Sequence, residues 1–138
     1  MGMQVSITIN FSHEYSPLDV LKIILNNGWD YHFENRVTYL SLNDIDDYNW
    51  QEIELNAFNV KGFMDSHDFM NKIGLVIVYN NESGGEVIIY PGFLIFSLSI
   101  NRKYLIGKKI PDFNWYLNRM ADFLECIKYT SIECEAIT

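Results

Sequence analysis

The stretch between Gly74 and Ile100 constrains the fold more than any other part of the chain. Three apolar, β-branched or aromatic runs, 75–79, 87–90 and 93–100, are separated only by Asn80-Asn81-Glu82-Ser83-Gly84-Gly85 and by Pro91-Gly92. Parallel neighbours need a crossover of a dozen or more residues, which these connections cannot supply. The spacing therefore predicts an antiparallel meander whose hairpin turns include Gly84-Gly85.

The flanking segments extend this sheet and add helices. Val5, Ile7, Ile9 and Phe11 alternate with Gln4, Ser6, Thr8 and Asn10, the period of a half-buried strand. Ser16-Pro17-Leu18-Asp19 then places a capping serine before a proline at the first helical position, with an acid three residues after the cap, and Asn27-Gly28 supplies the stop. Leu18, Leu21, Ile24 and Leu25 form that helix's apolar stripe. Residues 36–42 read as a second strand, followed by the acidic turn Asn43-Asp44-Ile45-Asp46-Asp47. Residues 48–60 suit a helix through Trp50, Ile53 and Ala57, or a strand through Ile53, Leu55 and Ala57. Asp65 can cap a short helix through Phe69, Met70 and Ile73. After Pro111, Asp112 caps a helix with Tyr116, Met120, Phe123 and Ile127 on one face. A closing strand over 129–137 alternates Ile132, Cys134 and Ala136, turned to the core, against Glu133 and Glu135. Runs of strands with a few helices, rather than strict alternation, predict one α+β domain over 1–138, with an antiparallel or mixed sheet and the helices packed on one side.

At 138 residues, 49% of them hydrophobic and 15% aromatic, the chain is rich enough in apolar surface to fold throughout around one core. No apolar run reaches the length that crosses a bilayer, and the first residues lack the pattern of a secretory signal, so a cytosolic protein is expected. Cys126 and Cys134 fall on different elements and are expected to stay reduced. The net charge of −8 is uneven: residues 1–56 carry −7 and residues 57–138 carry −1. Such a field disfavours nucleic acid and anionic membranes and favours a basic partner. The same surplus also serves solubility.

Known chemical motifs fit poorly. An EF-hand frame starting at Asp44 has Asp46 at position 3, but Tyr48, Asn49 and Leu55 fall where position 5, the turn glycine and the terminal ligand are needed. His13, His32 and His67 never pair at zinc-binding spacing and read as surface or partly buried polar residues. Gly84-Gly85 lacks the third glycine of a dinucleotide fingerprint and opens a strand. Gly107-Lys108-Lys109 lacks the rest of a phosphate loop. Arg102, Lys103, Lys108 and Lys109 beside Tyr104 could contact RNA or a phosphate-rich ligand, but against the net charge of −8 a solvated turn or an internal ion-pairing face is the favoured reading. Glu52 and Glu54, two apart on a strand, would point to one solvent face, an arrangement for binding more than for acid–base catalysis. No catalytic, metal or cofactor site is therefore expected.

Ser16-Pro17-Leu18-Asp19-Val20-Leu21 running into Asn27-Gly28-Trp29, followed by Asp47-Tyr48-Asn49-Trp50, resembles bacterial polymorphic-toxin immunity proteins, including those of contact-dependent growth inhibition. Phe96-Ser97-Leu98-Ser99-Ile100-Asn101-Arg102-Lys103 and Asp112-Phe113-Asn114-Trp115-Tyr116-Leu117 extend the likeness along most of the chain. The resemblance implies a cytosolic antidote that forms a heterodimer with a toxin's C-terminal domain, frequently a basic nuclease, and blocks it by contact.

On this reading the partner-binding patch comprises Asp44, Asp46, Asp47, Tyr48, Glu52 and Glu54, with Tyr48 or Trp50 as aromatic anchor. Two other readings stay open. One is a small-molecule site or enzyme pocket between the sheet and the C-terminal helix, lined by Trp115 and Tyr116. The other is a homodimer or larger adaptor that pairs through an exposed sheet edge.

Overall fold

The computed structural model describes residues 2–138. The chain runs through β1 (Gln4–Phe11), α1 (Pro17–Leu25), β2 (Trp29–Asp30), β3 (Arg36–Tyr39), β4 (Gln51–Glu54), α2 (Val60–Asp65), β5 (Ile73–Tyr79), β6 (Ser83–Tyr90), β7 (Phe93–Ile100), α3 (Phe113–Cys126) and β8 (Tyr129–Ile137). One 8-stranded sheet has the order β4-β3-β5-β6-β7-β1-β8, with β2 also paired to β5. Every pairing is antiparallel. The protein is α+β, as the run of strands with few helices predicts.

The helices form because their ends are capped and their stripes are apolar. At α1 the Ser16 hydroxyl accepts from the Asp19 amide at 3.1 Å and the Asp19 carboxylate accepts from the Ser16 amide at 3.2 Å, a reciprocal capping box. Its fully buried residues are Val20, Leu21 and Ile24, with Leu18 and Leu25 half-buried beside them. At α3 the Asp112 carboxylate accepts from the Trp115 amide at 3.2 Å.

One face of the sheet carries the core. Register places Ile7 beside Phe96, Phe96 beside Val87, and Val87 beside Leu75, and all four are buried. Tyr116, Met120 and Phe123 of α3 and Val20, Leu21 and Ile24 of α1 cover them. Trp29 sits at the centre, edge-on to Tyr79 (5.3 Å), Phe96 (5.4 Å) and Phe123 (6.5 Å). Such aromatic contacts contribute about 0.5–1.5 kcal/mol each beyond area burial.

Several expected details differ. Gly84-Gly85 is not a turn: the β5–β6 turn is Asn80-Asn81, both with positive φ (52° and 60°), and the two glycines lie buried inside β6 at a register shift. Asp65 ends a helix instead of starting one, because Asn59 caps α2 through the Gly62 amide at 2.9 Å and Ile73 already belongs to β5. The second strand stops at Tyr39, before residue 42. Residues 48–60 divide between a strand, a 3-10 turn (Leu55–Ala57) and the start of α2. His67 is buried, with Nδ1 2.7 Å from the Phe63 carbonyl. Cys134 does share the core-side face with Ile7, yet its side chain is exposed, since the cover thins out at this outermost strand. No helix is long and apolar enough to cross a membrane among the described residues.

Candidate functional site

The opposite face of the sheet has no helix on it. Register builds one row across it: Val76 beside Glu86, Glu86 beside Ser97, Ser97 beside Ser6, and Ser6 beside Glu135. Glu133, opposite Thr8, shares the face, as do Glu52 and Glu54, opposite Thr38 and Arg36. Two shallow clefts of about 330 and 430 Å³ lie along it and meet at Ser99. Five carboxylates (Glu52, Glu54, Glu86, Glu133, Glu135) thus share this surface with the guanidiniums of Arg36 and Arg102. Arg36 pairs with Glu52, and Arg102 Nε donates to the Leu98 carbonyl at 2.8 Å. The surface is acidic.

An aromatic ledge closes one end. Tyr90 and Phe93 stack at 4.6 Å with their planes 12° apart. Tyr48 reaches over from the β3–β4 loop, its hydroxyl 3.1 Å from that of Tyr90. Burial first, and this hydrogen bond second, push the Tyr90 phenol up to about 12. Tyr48 adopts a left-handed backbone (φ 50°), which costs a bulky residue about 1–2 kcal/mol. Asp44 offsets that cost: its carboxylate accepts from the Asn49 amide at 2.7 Å and the Tyr48 amide at 2.9 Å. These bonds, Asn49 foremost, hold the Asp44 carboxyl below its ordinary value. Lys72 ties down the same loop by donating to the Asp44 and Ile45 carbonyls.

The six residues nominated from sequence therefore separate by role. Asp46, Asp47 and Tyr48 are exposed around the ledge, and Glu54 is exposed on β4. Glu52 is engaged with Arg36, and Asp44 is turned inward on its own loop. Sequence reasoning missed Glu86, Glu133 and Glu135, which reach the face from strands far away in the chain. Only the period of two within each strand pointed to them, and it gives no neighbour.

Other candidates resolve as structure. Tyr116 is fully buried; its hydroxyl accepts from the Lys103 amide at 3.0 Å and lies 2.7 Å from Ser83 Oγ, which donates to the Ile100 carbonyl at 2.8 Å. It fills the sheet–α3 interface. Trp115 carries Arg119 at 4.0 Å and Lys103 at 5.3 Å from its ring centre. Lys108 and Lys109 lie in a turn closed by the Leu105 amide on the Ile110 carbonyl, Lys103 sits at its base with its carbonyl accepting from the Asp112 amide at 2.9 Å, and among the described residues neither these three nor Arg102 joins an ion pair. Among the described residues, no three of His, Cys, Asp or Glu cluster as metal ligands. No protein-family model, curated protein or solved structure matches this chain, so the site itself carries the functional argument.

Proposed function

We propose that this is a cytosolic immunity protein that captures one cognate toxin domain on the helix-free face of its sheet and acts by binding alone. The observation that carries the reading is the chemistry of that face: an acidic surface spanning the sheet, ending in a half-exposed aromatic ledge. Acidic complementarity speeds encounter with a basic partner. Aromatic side chains that become fully desolvated supply most of the holding energy in such interfaces. Tyr48 suits that role because its loop is already fixed before binding, so little ordering cost remains.

Contact residues on this reading are Asp46, Asp47, Tyr48 and Glu54 from the sequence-derived patch, joined by Glu86 and Tyr90. Glu52 contributes by exchanging Arg36 for a base of the partner, whereas Asp44 acts through the loop it holds. The test is to co-express a tagged copy with the chain encoded immediately upstream and weigh the product by native mass spectrometry. A one-to-one, salt-stable complex with a basic domain is expected, and Tyr48→Ala should weaken it by about 2 kcal/mol, roughly thirtyfold. Repeated recovery of this chain alone would sink the reading.

A further inference from the structure

The two edges of the sheet are unequal. β4 is 4 residues long and runs straight into a 3-10 turn, a short edge of the kind that resists further pairing. β8 is 9 residues long, contains no proline, and among the described residues pairs only with β1, in unbroken register from Ser131 to Ile137. In an antiparallel strand, successive residues direct their N–H and C=O groups alternately toward and away from the neighbour. Every second residue of β8 therefore offers a donor and an acceptor outward, along a strand that is exposed at most positions.

The side chains state what can pair there. Self-pairing over the whole stretch Ser131–Ile137 would be symmetric about Cys134 and would set Glu133 against Glu135 of the copy, twice. Like charges directly opposed on one face oppose that pairing. Residues that repel a second copy attract a strand with Lys or Arg at the same positions. On the other face, Ile132, Cys134 and Ala136 leave an apolar strip beside α3 that an incoming strand's alternate side chains would cover.

We infer that β8 is a strand-addition site, which receives from the toxin domain an extended segment alternating basic and apolar residues and so continues the sheet into the partner. The inference rests on the immunity reading above and adds to it where one part of the partner goes.

The experiment is hydrogen–deuterium exchange on the co-expressed complex, compared with the chain alone. Slowing of the outward β8 amides by about tenfold or more is expected. A complex that forms while β8 exchanges as in the free chain overturns this inference and leaves the immunity reading standing. Failure to obtain any complex overturns both. Proline variants give a second measurement: of Glu133→Pro and Cys134→Pro, one removes an N–H bonded to β1 and the other an outward N–H. The one that keeps its melting temperature should bind at least about tenfold more weakly; wild-type affinity in that variant overturns the inference. A dimer of the isolated chain by light scattering, with β8 amides protected, overturns it in favour of a second copy.

Discussion

Asp44 shows how one residue can matter to binding without touching a partner. Its two short bonds to the Tyr48 and Asn49 amides hold Tyr48 in a left-handed conformation over Tyr90. Because the folded carboxyl is held below its ordinary 3.8, the ordering it contributes is complete above that value and is lost as pH falls through the lower, folded one. In an acid titration followed by NMR, the Tyr48 and Asn49 amide signals should move together with a midpoint below 3.8. Asp44→Ala should make the 41–49 loop more sensitive to limited proteolysis at neutral pH while the global melting temperature changes little. A midpoint at or above the ordinary value would show that the carboxylate does not hold the loop. The acidic run was legible in the sequence, but the division of labour within it was not, since Asp44, Asp46 and Asp47 differ only in which amides lie nearby after the chain turns.

At the level of elements, the parts set by local chemistry were the legible ones. β1, α1, β7, α3 and β8 follow from alternation, from the Ser16 box, and from the Asp112 cap, all of which act within a few residues. Gly84-Gly85 was misread because glycine pairs mark both tight turns and close backbone approach. Here the approach decides: a Cβ on Gly85 would stand 1.7 Å from the Ser97 carbonyl oxygen, and one on Gly84 would stand 1.9 Å from that of Ile77. Gly85→Ala should therefore lower stability in chemical denaturation by about 4 kcal/mol or more, while Gly2→Ala, with open space around it, should change nothing. A loss of only the ~1–2 kcal/mol expected at a left-handed position of an exposed turn would contradict the buried placement. Cys134 misled for a related reason. Alternation identifies a strand's inward face, but how far the helices reach over that face is set by the packing of α1 and α3 on strands distant in sequence.

Across the whole molecule, what counts for partner choice is where the charge lies more than how much there is. In the sequence most of the net acidity belongs to residues 1–56, which carry −7. The topology instead brings Glu52 and Glu54 together with Glu86, Glu133 and Glu135 on one face, beside Arg36 and Arg102, by placing β4, β6 and β8 in a single sheet. Net charge and local field make different predictions, so they can be separated. Glu52→Lys, Glu86→Lys and Glu135→Lys together change the charge by +6 and place all of it on the helix-free face. Lys substitutions at Asp122 and Glu125, both exposed on α3, change it by +4 on the far side. If the face steers a basic toxin domain, stopped-flow association of the first variant should slow by about tenfold or more at low salt and lose most of its salt dependence. At 0.15 M salt, where the Debye length of about 8 Å screens charges beyond the docking surface, the α3 variant should stay within about threefold of the wild type while the first variant remains the slower of the two. Equal slowing per unit of charge in the two variants would mean that only the total matters, and the helix-free face would lose its claim to be where the partner lands.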